Sequence, residues 1–389
     1  MNTHADVVVI GAGPAGLVLA EALARRGQKV AVVEKQADPA HGPQGALLQP
    51  VTLDLLRRFI SLQHSPSTDG AVTSLEEYGP SGLVFKGDFA TLSGNSIPYA
   101  LNVAQSQLRK PLVARVAARP SVTLYAGTVV KRFERTEAGN CLTVTGSTKN
   151  PAEELHLSSR WVVAADGKLS ESRDLAGFDA HVEDAEYALT LIPLPTPEGH
   201  PRVIRAHRRA DGMATTVSGA APGMTFVFTH MKDRDAAPHD FVDWAADAVF
   251  SQDKLLTDAI ARTALRDRLI QIRPQSVRVP AWRKDGVVLL GDSAHGMHNI
   301  GGQGLNISIQ NALVLAEALT TFEPGRVAES IDAAFAERHR YVDEFQNAQF
   351  ELGHGFWRAD STSWFDGRFE DLSLGQPEHR QQWRELADR

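Results

Sequence analysis

The chain has 389 residues, 43% hydrophobic and 22% charged, an ordinary globular composition with core enough for two lobes. Its formal net charge of -7, with no basic run or face, argues against a nucleic-acid partner. The lone cysteine, Cys141, excludes an internal disulfide framework and fits a reducing cytoplasm; it reads as a strand residue rather than a nucleophile.

The N-terminus lacks the basic region and separate apolar segment of a secretory signal. The apolar run over 7–20 is broken by glycines and Pro14, too short to span a membrane. Residues 7–10, Val-Val-Val-Ile, predict a buried parallel strand. Gly11, Gly13 and Gly16 follow, with Pro14 and Ala15 between them, and 17–26 predicts a helix stopped by Gly27. Residues 29–33 predict the second strand, which Glu34 and Lys35 close. Strand, glycines, helix, strand and acid in this register predict a dinucleotide site. Gly11 makes the tight turn, Gly13 admits a pyrophosphate, and Gly16 lets helix and strand pack. Glu34 stands where an acid would bond ribose hydroxyls and repel a 2′-phosphate.

Residues 41–50 read as a loop and 51–60 as a helix, with short strands such as 82–85 in the polar stretch 61–100. Gln105 opens a helix to Ala118. Strands are expected at 122–125, 128–133, 142–145 and 155–157, with a turn at 148–151. Residues 161–165 form another buried strand ending in Asp166-Gly167. Segments 187–192, 203–207 and 224–228 predict an antiparallel sheet flanked by helices over 241–250 and 254–269. Residues 287–290 return to the first sheet and enter Gly291-Asp292, a glycine-rich loop and helices over 310–319 and 330–350.

Three ordered signatures carry a resemblance: Gly11 to Glu34; Asp166-Gly167 with Ser170 and Arg173; and Gly291-Asp292 with Gly302-Gln303-Gly304-Leu305-Asn306. Across about residues 5–350 the chain resembles the class A flavoprotein monooxygenases of the para-hydroxybenzoate hydroxylase type. The resemblance implies an α/β fold. A Rossmann-like FAD-binding domain of the glutathione-reductase type would take 1–64, 101–174 and 281–350. An antiparallel-sheet substrate domain would take 65–100 and 175–280, and 351–389 would be a tail packed on the core. It implies FAD, with NADH or NADPH as transient reductant. O₂ would supply one oxygen atom, through a flavin C4a-hydroperoxide, to a small aromatic or polycyclic metabolite. The alternative on the same scaffold is a reductase or oxidase of an unsaturated metabolite. A cytoplasmic monomer or homodimer without membrane insertion is expected.

Residue by residue, the resemblance puts Asp292 on a ribityl hydroxyl, Gln105 near the ribityl chain and the Val129 backbone at the adenine. Gly301 to Asn306 would lie along the isoalloxazine, where the helix N-terminus steadies negative charge. Asp166 and Arg173 would hold the DG turn or touch a cofactor.

The chain departs from the family where most members carry proline after the GD motif: here stand His298-Asn299. His298 would be a general base or a donor to the peroxide, against the alternative of packing or capping the loop; His295 matches an ordinary family histidine and reads as structural. Gln44 and Gln49 replace a family arginine, which points away from tight NADPH binding. Arg205 and His207, on one face of a strand, are candidate pocket liners with Tyr187, Thr190, Thr215, Phe226 and Phe228, though the aromatics also read as core. No metal is expected, because no Cys or carboxylate cluster accompanies His295 and His298. The aromatics of the tail, Phe356, Trp357, Trp364, Phe365 and Trp383, predict a cover over the cofactor lobe or a dimer contact.

Overall fold

Valine and isoleucine at 7–10 are fully buried because this strand lies inside a six-stranded sheet covered on both faces. The order across that sheet is 283–284, 287–289, 161–164, 7–10, 30–34 and 122–126, parallel throughout except at the 283–284 edge. The computed structural model describes residues 2–40, 45–61, 70–92, 97–135, 142–147, 154–218, 223–233, 235, 238–250, 253–262, 269–320, 325–355, 363, 365–375 and 377–389. Cys141, Gln44, the 148–151 turn, the end of the expected 254–269 helix, Phe356, Trp357 and Trp364 lie outside the described residues.

Helix Pro14–Arg25 starts directly after the first strand, with Pro14 at a position where its missing N–H costs nothing. Gly27, at φ +79°, turns the chain back toward strand Val30–Glu34. The helix packs on Gly304–Leu319, which is buried almost all round and shares its apolar cluster. That second helix begins six residues before the expected 310, at Gly304. Its first turn is Gly-Leu-Asn-Ile, poor in helix propensity; tertiary contacts override that local preference.

A second sheet runs 270–272, 188–195, 224–231, 212–218, 203–208, 74–79 and 82–88. It is mixed rather than purely antiparallel, since Val203–Arg208 pairs parallel with Ser74–Gly79. The unforeseen strand Gly212–Ser218 is covered on both faces and so carries no alternating polarity. Ile192, Leu194, Ala214 and Val227 put one face of this sheet against helices Pro238–Phe250 and Lys254–Arg262. Tyr187, Leu189, Ala206, Met213 and Phe228 gather on the opposite face, around Ile300. The expected loop before Pro50 contains strand Gly45–Leu48 instead, because Ala100–Ala104 supplies an antiparallel partner distant in sequence.

The last helices, Phe369–Leu374 and Pro377–Asp388, pack on the molecule: Trp383 is 1% exposed beneath Arg338, and Phe369 rests against Phe85 and Phe89. Helix Val327–Gly355 outruns its expected end. Among the described residues no helix is long and apolar enough to cross a membrane. The fold is α/β, a Rossmann-like, mostly parallel sheet with an inserted mixed sheet and C-terminal helices.

Candidate active site

At the nucleotide end, each glycine meets a different demand. A Cβ on Gly11 would stand 2.4 Å from the Ala165 carbonyl oxygen, and one on Gly16 would stand 2.2 Å from that of Gly11. Gly13 is different: a Cβ there meets nothing within 4 Å. The room lies in front of a helix N-terminus with no side-chain cap. Glu34 is buried at the end of its strand, where its carboxylate accepts from the Ala12 N–H at 2.7 Å and the Gln36 N–H at 2.9 Å. Arg109, buried on helix Gln105–Ala117, faces it with Nη2 3.9 Å from Oε2; burial pulls its pKa down and Glu34 works against that. The Thr128 N–H donates to the Glu34 carbonyl, which brings Val129 beside the same strand end. Lys35 is exposed just past it, and Gln105 begins the helix that carries Arg109.

The DG segment is a brace. Asp166 accepts from the Ser170 hydroxyl and, at 3.0 Å, from the Ser172 N–H, so both its oxygens are used within its own turn. Arg173 donates to the Lys168 and Ser293 carbonyls, tying that turn to the GD loop. Lys168, which the sequence did not single out, donates to the Gln275 and Met297 carbonyls. Burial lowers its pKa, and Asp292 opposes the shift.

At the flavin end, Gly291 leads into Asp292, whose carboxyl burial pushes up, offset in part by Lys168. No hydrogen bond from the described residues reaches that carboxylate. Gly304 lies against it: a Cβ there would stand 3.8 Å from Oδ1. Gly301 and Gly302 form the turn before the helix that Gly304, Leu305 and Asn306 open, again without a side-chain cap. Asn306 is fully buried and faces the protein, donating to the Leu47 and Gly302 carbonyls and accepting from the Gln49 N–H. Gln303 likewise donates to the Gly301 and Leu372 carbonyls, joining the loop to the tail helix. These two hold the loop's shape, and the backbone N–H groups are what the loop offers a ligand.

His298 and Asn299 are brought to the face of the second sheet that carries Tyr187 and His230. His298 is 8% exposed, and among the described residues neither ring nitrogen has a hydrogen-bond partner. Its ring meets Tyr187 edge-on at 5.9 Å. Burial, with the charges of Lys168 and Arg278, holds its pKa down at about 4. Gln349 donates to the carbonyls of both His298 and Ile300 and so clamps the loop from behind. Asn299 Nδ2 lies 3.1 Å from His230 Nε2. His295 is turned inward, 2.9 Å from the Asn311 amide and beneath Trp282.

Arg205 is not brought to this site. Strand alternation sends it to the helix-covered face, where it bonds Glu76 at 2.9 Å and Asp253 at 2.7 Å. His207, stacked on Tyr78, and Thr190 share that face. Thr215, Phe226 and Phe228 share the face of His230; both phenylalanines are half-buried, and Phe228 packs at the edge of the apolar cluster around Ile300. His230 itself had a legible signal: it falls in phase with Phe226 and Phe228 along one strand. Gln349 and Arg109 had none, since each comes from a segment without a motif, and Lys168 occupies a position that the DG signature leaves open.

The residues fit FAD. Two uncapped helix N-termini, the open room at Gly13 and a half-buried carboxylate short of donors match pyrophosphate, a reduced ring and ribityl hydroxyls in turn. The profile of the FAD binding domain family matches residues 4–348. Protoasukamycin 4-monooxygenase of Streptomyces nodosus subsp. asukaensis is 28% identical over 363 residues, 89% of this chain and 87% of that one. The 6-methylpretetramide 4-monooxygenase of Streptomyces rimosus is 31% identical over 348 residues, 82% and 77% of the two chains. The crystal structure of p-nitrophenol 4-monooxygenase from Pseudomonas putida DLL-E4 superposes with a TM-score of 0.77 at 23% identity, covering 100% and 99%. With the family matched over most of its length, the chain belongs to the FAD-binding-domain family and is an FAD-dependent monooxygenase.

Proposed function

We propose that this enzyme hydroxylates or epoxidises a small aromatic or polycyclic metabolite bound between the His298–Ile300 loop and the facing sheet, with His298 as the base. The supporting observation is an imidazole that is buried, held neutral, and without a partner on either nitrogen among the described residues. Bound FAD supplies the redox chemistry, passing electrons from NAD(P)H to O₂ so that one oxygen atom goes to substrate and the other to water.

The remaining work falls to the chain. Asp292 would accept from a ribityl hydroxyl of the bound cofactor, and the N–H groups of the Gly304 turn would stabilise the negative charge that reduction brings. His298 takes a phenolic or N–H proton on a ring nitrogen, making the substrate ring electron-rich. A base held near pKa 4 is weak, but deprotonation creates an imidazolium beside an anion, and their attraction offsets the burial that disfavours charge. Lys168 and Arg278 stabilise the same anion. Gln349 keeps the loop from moving the imidazole away. The chain's single cysteine supports a reducing, cytoplasmic setting for this chemistry, as a monomer or homodimer.

The test is turnover of a panel of bicyclic phenols and quinolones under ¹⁸O₂ with NADH or NADPH. One labelled oxygen in the product is expected; unlabelled or reduced product, or peroxide alone, overturns oxygen insertion. His298→Ala should keep its FAD while product formed per NAD(P)H consumed falls at least tenfold, about 1.4 kcal/mol in the reacting step. Unchanged coupling removes His298 from the mechanism.

A further inference from the structure

Next to His298 lies a pair of side chains that the general reaction does not explain. His230 is 1% exposed in the middle of a sheet, with the Asn299 amide on one side of its ring and the Met213 backbone on the other. Burial holds its pKa at about 4, so at neutral pH the ring carries one N–H. The backbone of Met213, its register partner, works against that shift, as a carbonyl facing an Nδ1–H does, and so puts the proton on Nδ1. That leaves Nε2 as an acceptor, 3.1 Å from the Asn299 amide nitrogen.

This bond fixes the Asn299 amide in one orientation. Its nitrogen is held by His230, and its carbonyl oxygen points to the other side of the planar group. Asn299 is exposed between two buried neighbours, His298 and Ile300, and the Gly302 N–H on its own carbonyl holds its backbone. Tyr187 meets both His230, at 5.3 Å, and His298, at 5.9 Å, edge-on, so the amide and both rings form one cluster that reaches the surface at Asn299. The loop therefore offers a preset hydrogen-bond acceptor a residue away from the base.

We infer that Asn299, oriented by His230, accepts a hydrogen bond from an O–H or N–H on the substrate ring system, and that His230 is a positioning residue. The inference rests on the His298–Ile300 loop being the substrate side of the flavin. It makes the preferred substrate a ring donor, and it makes methylation of that donor the change the site rejects. Discrimination arises because an acceptor desolvated by a methyl group, with nothing donated in return, is left unpaired.

The experiment uses FAD-loaded enzyme and three probes, 2-naphthol, 4-nitrophenol and 4-quinolone, each against its O- or N-methylated twin, with binding read from the flavin absorbance. At least one donor-bearing probe is expected to bind at least tenfold more tightly than its twin. Asn299→Ala should weaken that probe about tenfold and leave the twin unchanged. His230→Phe should do the same at unchanged flavin content, and His230→Gln, which keeps an acceptor for the amide, should recover most of the difference. The inference is overturned if no probe is preferred over its twin, or if the preference survives both Asn299→Ala and His230→Phe. Coupling in His298→Ala, measured on separate samples, reports on the base alone, so either assignment can fail without the other.

Discussion

Two glycines five ångströms of helix apart, on the scale of one turn, should answer very differently to the same methyl group. Gly13 has φ −68° and ψ 169°, a conformation open to any residue, and its Cβ would enter empty space. Gly13→Ala therefore leaves the apoprotein within about 1 kcal/mol of the parent, the residual cost being that of alanine at a helix N-cap. The methyl group then occupies the approach of the pyrophosphate, and FAD affinity should fall at least tenfold, about 1.4 kcal/mol. Gly16→Ala puts its Cβ 2.2 Å from the Gly11 oxygen, a backbone atom that cannot rotate away. Helix and strand must part by roughly 1 Å, at a cost of about 3 kcal/mol in the apoprotein itself. Thermal melts of both apoproteins and fluorescence titration with FAD separate the two. Gly13→Ala with unchanged FAD affinity, or with an apo melt lowered as far as that of Gly16→Ala, refutes the assignment of that space to the cofactor.

Arg205→Met removes the shared cation of Glu76 and Asp253 and should destabilise the fold by about 3 kcal/mol in urea titrations while leaving coupling intact; lost coupling at unchanged stability would return Arg205 to the active site. Acid should also weaken the fold in a particular window. His207, His230 and His298 are held near 4, and His295 near 3, by burial, whereas unfolded chains protonate near the ordinary 6.5. Folded pKa values below the unfolded ones mean full stability above pH 6.5, lost as pH falls toward 4, with a slope of about 1.4 kcal/mol per pH unit for each histidine. Glu77 and Asp292, raised by burial, act in the opposite sense. Urea midpoints at pH 7.5, 6.5 and 5.5, with His207→Phe removing one histidine's share of the slope, check this; a midpoint flat from 7.5 to 5.5 contradicts it.

The cofactor half of the molecule was legible because its demands are local. A buried strand, a glycine that must turn and an acid at the next strand's end are all fixed by adjacent residues. The substrate half was not. Alternation along 203–208 correctly put Arg205 and His207 on one side, but which side faces the flavin depends on the helices Pro238–Phe250 and Lys254–Arg262 folding over it. Asn306 and Gln303 were recognised from their motif, yet their side chains hold the loop rather than the ligand. A motif states that a residue type is needed at a position, not which of its atoms does the work. Strand Gly45–Leu48 illustrates the same limit, since its partner at Ala100–Ala104 is set by topology.

The histidines proposed to mark the reacting side are also residues expected to make the fold acid-sensitive, and both properties have one cause. Enclosure removes solvent from His298 and His230, which keeps them neutral and leaves a lone pair for a proton or an amide. The same enclosure penalises the charged ring that acid would create. A more open loop would relieve the acid penalty but let water compete for His298 and for the Asn299 oxygen. Gln349, bonded to the carbonyls on both sides of Asn299, keeps the loop closed without adding a charge that would shift either imidazole. A proline at this point in the chain would stiffen the loop but bring neither an imidazole nor an amide. Replacing it with His-Asn exchanges local rigidity for chemistry, and the rigidity is restored by a glutamine from a distant helix.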